Sequence, residues 1–182
     1  MKNPISSRIL EFRMKKQDPE AFGQFYDQYA TRIYRFIFFK VSSESDAQDL
    51  TADVFLRLWN YLKDGREVAN LNALVYQIAR NAVIDFYRQR QRRADNELQL
   101  DSTERALGLK IDPHEAHIQK SLLDAVSAGL TNLKDEYSEV IVLRYLDGLS
   151  HREIAQALNK STGTVRVLLH RALRALRETV HN

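Results

Sequence analysis

The chain of 182 residues has no cysteine, only three prolines and only six glycines. Without cysteine there are no disulfides, thiolate metal sites or cysteine nucleophiles. So few turn formers argue against an all-β fold and for long helices. Long apolar runs are missing too. Tyr34 to Val41 is the greasiest stretch, far below the roughly 18 residues that suggest a membrane span. Met1 to Arg13 has no sustained apolar core followed by a small-residue cleavage site. No glycine loop for phosphates and no histidine pair at metal spacing is present. The expectation is a cytoplasmic protein without direct membrane insertion, cofactor, metal or small-molecule substrate.

Apolar residues make up 44% of the chain, enough for globular cores. The length allows one medium domain or two small ones. Two small cores would each be marginal, and a partner would add stability. The net charge is only +3, but its distribution is uneven. Arg80, Arg88, Arg90, Arg92 and Arg93 form one cluster, and Arg166, Arg171, Arg174 and Arg177 another. Between them, Asp95, Glu97, Asp101, Glu104, Asp112 and Glu115 outnumber Arg105 and Lys110. This basic–acidic–basic layout suggests two nucleic-acid faces and a spacer that avoids nucleic acid. For either cluster alone, a solvated helix face is the favoured reading.

Hydrophobic periodicity places the helices. A short one leads, over residues 5–17. Asp18-Pro19-Glu20 then reads as a helix start. Phe22, Phe25, Tyr26, Tyr29, Ile33 and Ile37 follow at steps of three and four, one apolar stripe running to about Val41. Ser43 to Asp46 opens the next helix. Ala47, Leu50, Val54, Leu58 and Tyr61 form its core stripe. Asp46, Asp49, Asp53 and Leu56 form a neighbouring stripe, acidic at one end and apolar at the other. Lys63 to Asn70 is a loop, long for a helix–helix connection. A long helix resumes at Leu71 and ends in arginines. The stretch 94–117 reads as an acidic linker. Beyond it, Ile118, Leu122, Ala125 and Val126 predict one helix, and Tyr137 to Tyr145 another, ended by Asp147-Gly148. The fold class expected is all-α, with two small helical domains over 1–93 and 118–182.

The second domain carries the sharpest signal. Ser150 and Glu153 fit a capping box. Ala155 is small, as the crossing of a helix-turn-helix requires. Asn159, four positions later, tolerates a positive φ at the turn. Val165 and Leu169 face inward, leaving Arg166, His170, Arg171 and Arg174 outward. Arginine can donate two hydrogen bonds to a guanine edge. Lys160, Ser161, Thr162 and Thr164 begin the second helix, where backbone N–H groups and hydroxyls can hold a phosphate. The alternative is a plain helical hairpin with a charged exterior.

Three motifs together resemble a known family. Asp46 to Trp59 looks like the polymerase-binding helix of extracytoplasmic-function (ECF) sigma factors, in the sigma-70 family of bacterial RNA polymerase. Ile78-Ala79-Arg80-Asn81 with Ile84-Asp85-Phe86-Tyr87-Arg88 resembles their promoter-melting helix. Gly163-Thr164-Val165-Arg166 with Leu169-His170-Arg171-Ala172 resembles their recognition helix. The resemblance implies that Asp46, Asp49, Asp53, Phe55, Leu56 and Trp59 face the clamp helices of the largest catalytic subunit of core RNA polymerase. Trp59 suits core packing nearly as well. It implies that the second domain meets the flap of the other large subunit. Lys63, Asn70, Tyr76, Arg80, Asn81, Arg88, Arg90, Arg92 and Arg93 would bind the −10 promoter DNA. The loop Lys63 to Asn70 and the start of the following helix would form a pocket for an extruded base, and Tyr76 and Tyr87 would pack or stack, with core packing favoured for at least one. Arg152, Lys160, Ser161, Thr162, Thr164, Arg166, Val167, His170, Arg171 and Arg174 would bind the −35 element. An anti-sigma protein is implied as a regulator.

The sequence departs from the family pattern at Val167 and Leu168, where the family often has a small polar residue and then arginine. The substitution makes the reading face more apolar, unless Leu168 joins the core. The loop also lacks the aromatic residue often found there. Two other readings compete. One is a stand-alone helix-turn-helix regulator, although the first domain shows neither a receiver pattern nor a ligand-pocket signature. The other is a nucleic-acid enzyme using Asp46, Asp49 and Asp53 as metal ligands, although these lack convergent partners.

Overall fold

The computed structural model describes residues 4–96 and 133–180. The chain divides into two compact units, Met1–Leu107 and Gly108–Asn182. The architecture is all-α, as expected, and no strand occurs among the described residues.

In the first unit, helix α1 spans Pro4–Lys15 and α2 spans Pro19–Val41. The turn between them passes through Gln17 at a φ of 60°, unusual for a residue with a side chain. Asp18 makes that turn worthwhile. Its carboxylate accepts the N–H groups of Glu20 and Ala21 and so caps α2, with Pro19 in the first turn where its missing N–H costs nothing. Arg13 reaches back from α1, with Nε 2.7 Å from Asp18 and Nη2 2.8 Å from Glu20. The hydrogen bond from Arg13 is the main reason the Asp18 carboxyl titrates below its ordinary value, and Asp18 in turn raises the Arg13 guanidinium.

The stripe read from the sequence is the core side of α2: Phe25, Tyr29, Ile33 and Ile37 are buried. Ser42, at a φ of 55°, closes the helix and donates its N–H to the Phe38 carbonyl. Helix α3 follows over Glu44–Lys63, with Ser43 accepting from the Asp46 N–H. Ala47, Val54 and Leu58 are buried, while Leu50 and Tyr61 are half-buried. Gly65, at a φ of 69°, turns the chain out of α3. Helix α4 runs Leu71–Asn96, three residues into the stretch read as linker. Helices α2, α3 and α4 pack on one another, with α1 against α2. Tyr29 donates to the Asn72 amide oxygen and Tyr87 to the Lys40 carbonyl, both tying α2 to α4.

In the second unit, α5 spans Asp135–Ile141 and continues into a π-type turn, Val142–Leu146. There the Asp147 N–H reaches the Val142 carbonyl, one residue further back than in an α-helix. Gly148, at a φ of 71°, ends the segment, and the Leu149 N–H returns to the Leu143 carbonyl. Helix α6 spans His151–Ala157 and α7 spans Thr162–Val180. Both α5 and α6 pack on α7. The helix expected at Ile118, Leu122, Ala125 and Val126 and most of the stretch 94–117 lie outside the described residues.

Candidate nucleic-acid interface

The helix-turn-helix forms as its side-chain chemistry dictates. Ser150 Oγ accepts the Glu153 N–H at 3.2 Å, and the Glu153 carboxylate accepts the Ser150 N–H at 2.8 Å. This reciprocal cap contributes about 1 kcal/mol to the start of α6. Ala155 is 6% exposed. Asn159 has a φ of 52°, and the Lys160 N–H then returns to the Ala155 carbonyl at 2.8 Å. Val165, Leu168, Leu169 and Ala172 are buried along α7. Leu168 therefore belongs to the core, and only Val167 makes the outer face more apolar; it is 49% exposed. Burying a leucine contributes roughly 1.5–3 kcal/mol, so the second unit uses Leu168 for stability.

Arg152, Arg166, His170, Arg171 and Arg174 are exposed. Arg174 Nε lies 3.0 Å from Glu178 one turn on. Ser161 Oγ accepts the Thr164 N–H at 3.0 Å and its hydroxyl meets that of Thr164 at 2.8 Å. Thr162 is half-buried beside them. Lys160 Nζ lies 3.1 Å from the Glu136 carboxylate on α5. In the free protein these groups thus cap α7 and hold α5. A phosphate at the start of α7 would compete with Glu136 for Lys160.

On the first unit, the residues of the acidic stripe divide. Asp49 and Leu56 are exposed, Leu56 at 59%, and Asp46 and Asp53 are half-buried. Phe55 is 3% exposed. It packs among Tyr26, Phe22 and Phe25, with ring centroids at 4.7, 6.4 and 6.5 Å. Burial there raises the Tyr26 phenol above its ordinary value, with Asp27 adding to the effect. The expectation that Phe55 faces a partner is corrected, because the ring is consumed by the α2–α3 contact. Trp59 is half-buried with its ring against Phe22, centroids 4.8 Å apart. It serves the core and keeps an accessible edge. A residue missed in the sequence is Arg57. Its guanidinium bonds Asp53 at 2.8 Å and Asp85 on α4 at 3.3 Å. The spacing of Asp53 and Arg57 signals the first of these, and nothing local signals the second.

Helix α4 also sorts its candidates. Tyr76 is 1% exposed and stands edge-on to Phe36, so it is core and is corrected as a DNA contact. Tyr87 is 46% exposed, its hydroxyl anchored on Lys40 while its ring remains accessible. Asn81, Arg88, Arg90, Arg92 and Arg93 are exposed and Arg80 is half-buried. Helical periodicity aligns Asn81, Arg88 and Arg92 on one face, with Asp85 among them, and Arg80 with Tyr87 on another. Arg90 points away from the Asn81 face, so the arginines form a collar rather than one stripe. Asn70 is half-buried at the start of α4. Its side-chain oxygen accepts the Ala73 N–H at 3.1 Å and its carbonyl the Leu74 N–H at 3.0 Å, so it caps α4. Lys63, at the other end of the loop, is exposed. Val68, 6% exposed, pins the loop to the core. Between the loop and the end of α1 lies a cleft of about 530 Å³, lined by Lys15, Leu62, Gly65, Arg66, Glu67, Val68 and Ala69.

Sequence comparison finds two family descriptions in chain order. Sigma-70 region 2 matches residues 25–93, and sigma-70, region 4 matches residues 123–176. The ECF RNA polymerase sigma factor BldN of Streptomyces coelicolor is 33% identical over 94% of this chain, which spans 65% of that protein. The ECF RNA polymerase sigma factor SigW of Bacillus subtilis is 28% identical with both chains covered in full. Among solved structures, CnrH in complex with the cytosolic domain of CnrY shares the fold at a TM-score of 0.70, with 24% identity and 96% of each chain covered. The sigma factor RpoE of Bartonella quintana, in complex with the anti-sigma factor NepR, does so at 0.65, with 23% identity, 88% of this chain and 96% of that one.

Proposed function

Because the chain belongs to the sigma-70 family, among its ECF sigma factors, we propose that it binds core RNA polymerase, reads the −35 element with its second unit and opens −10 DNA with its first. One observation carries the assignment. A helix-turn-helix with an exposed basic reading face shares a chain with a three-helix core that presents an acidic stripe and an arginine collar. A stand-alone regulator needs only the helix-turn-helix.

The division of labour follows from the exposed groups. Asp46, Asp49, Asp53 and Leu56, with the free edge of Trp59, present a charged and apolar strip to the polymerase. The anionic end would steer a basic partner, and Leu56 would be covered on docking. Asn81, Arg88 and Arg92 line a path for the displaced −10 strand, with the Tyr87 ring offering a stacking surface. Arg80, Arg90 and Arg93 hold flanking phosphates. On α7, Arg166, His170 and Arg171 reach base edges, Val167 offers methyl groups to the C5-methyl of thymine, and Arg152, Lys160, Ser161, Thr162, Thr164 and Arg174 hold the backbone.

This work is binding and strand opening rather than covalent catalysis. Among the described residues no helix is long and apolar enough to cross a membrane, and the factor would act in the cytoplasm, where its polymerase is. The sigma factor RpoE of Bartonella quintana is solved in complex with the anti-sigma factor NepR, and an anti-sigma protein covering the polymerase-facing strip would hold this factor inactive. Run-off transcription with purified core polymerase and a promoter library tests the assignment. Transcripts that depend on both the added protein and the promoter sequence are expected. Folded protein and active core yielding none would overturn it.

A further inference from the structure

The family resemblance assigns base capture to the loop between α3 and α4. The structure brings a second element to the same cleft. Lys15, the last residue of α1, lines it together with Leu62 and Gly65 to Ala69. The backbone there is not loosely attached. Met14 is fully buried, Arg13 grips Asp18 and Glu20, and Gln17 Nε2 donates to the Lys63 carbonyl at 3.4 Å. The end of α1 is thus fastened to α2 on one side and to the end of α3 on the other.

The lining combines apolar and small residues with charges of both signs. Leu62 and Val68 are apolar and buried beneath the cleft, and Gly65 and Ala69 are small. Nothing stands within 4 Å of where a Gly65 side chain would begin, so the mouth is open. The charged lining groups are Lys15, Arg66 and Glu67. Arg66 is engaged by Asp64 at 3.2 Å and lies over the Tyr61 ring. Lys15 is exposed, and an ammonium on a four-carbon stem can follow a phosphate that moves as a strand is opened.

We infer that Lys15 is a phosphate-binding residue of the single-strand site: the end of α1 forms one wall of the cleft, and the Lys15 ammonium pairs with the backbone phosphate beside the extruded −10 base. The inference rests on the proposed opening of −10 DNA, taken with a base of the displaced strand held at this loop, and the two fail in different experiments. Holoenzyme made with the wild-type chain, Lys15→Gln or Lys15→Arg is titrated with a fluorescent forked promoter whose −10 non-template strand is single-stranded. A duplex fragment carrying only the −35 element serves as the reference, and affinity for core polymerase is measured in parallel. Lys15→Gln is expected to lower the slope of log affinity against log salt by about 0.7 on the fork, the share of one single-strand phosphate contact. Lys15→Arg restores the slope, and neither variant alters core or −35 binding. An unchanged slope on the fork overturns the role of Lys15, as does an equal change on the −35 duplex. A scan of single abasic sites through the −10 strand tests the underlying reading. One position at which the lost base weakens wild-type binding is expected, and no such position overturns base capture and the inference with it.

Discussion

Arg57 holds Asp53, its Nε 2.8 Å from the carboxylate, on the strip proposed to meet the polymerase. The same guanidinium reaches Asp85 on α4, so one side chain couples the docking strip to the helix proposed to open DNA. All three side chains are substantially exposed, and such pairs contribute at most about 1 kcal/mol. Arg57→Gln should therefore change the unfolding free energy by less than about 1 kcal/mol in a urea titration. Replacing Asp46, Asp49 and Asp53 together by asparagine should weaken core binding strongly at low salt and less at high salt, since exposed charges are screened. Core affinity unaffected at every salt concentration would remove the strip from the interface.

The reading helix yields a chemical test. Replacing single thymines of the −35 element by uracil deletes one methyl group each time and leaves every hydrogen bond in place. At one position the wild-type protein should lose affinity, and Val167→Ser should bind the two duplexes alike. A uracil scan that is flat for the wild type would leave Val167 without a base contact.

The crossing of α6 and α7 should tolerate little. Ala155→Leu forces extra carbons against buried neighbours and should cost about 1–3 kcal/mol. Asn159→Gly should be nearly neutral, because both residues accept a positive φ, whereas Asn159→Val should be clearly destabilising. Thermal unfolding of the three variants gives the ranking. Equal behaviour of the glycine and valine variants would show that the turn conformation is not what Asn159 supplies.

Asp18 gives a pH signature. Its carboxyl titrates below the ordinary value because Arg13 and two backbone N–H groups favour the anion. A lowered folded-state value means stability that is present above the unfolded carboxyl's value and disappears as pH falls through the lowered one. Asp18→Asn should therefore be less stable than wild type near neutrality, and the gap should close on acidification. A gap independent of pH would mean that the cap, and not the charge, is the whole effect.

The parts of this molecule legible in sequence are those set by local rules. The stripe from Phe25 to Ile37, the Ser150–Glu153 cap and the positive φ at Asn159 follow from helical period, side-chain oxygen placement and steric tolerance. Phe55 misled because the residue next to a core stripe points wherever the neighbouring helix leaves space, and the space was among Phe22, Phe25 and Tyr26 on α2. The cap at Asn70 was not legible, because one amide serves a helix cap or a base equally well in sequence. The π-type turn at Val142–Leu146 leaves no pattern, since one extra residue per turn is a response to packing. The cleft beside Lys15 joins residues about fifty positions apart, beyond any local signal.

Leu168 and Val167 are neighbours in sequence on opposite sides of a boundary, one in the core and one in solvent. Turning α7 about its own axis would bring leucine out and drive valine or arginine in, so the helix has one permitted angular setting. The buried leucine thereby acts as an index mark for the outer face. If α7 reads base edges as proposed, it gains its registration from a residue buried in the core. On the proposed reading, exchange of Val167 or His170 would change promoter preference while the mark at Leu168 kept each newcomer at the same angle to the groove.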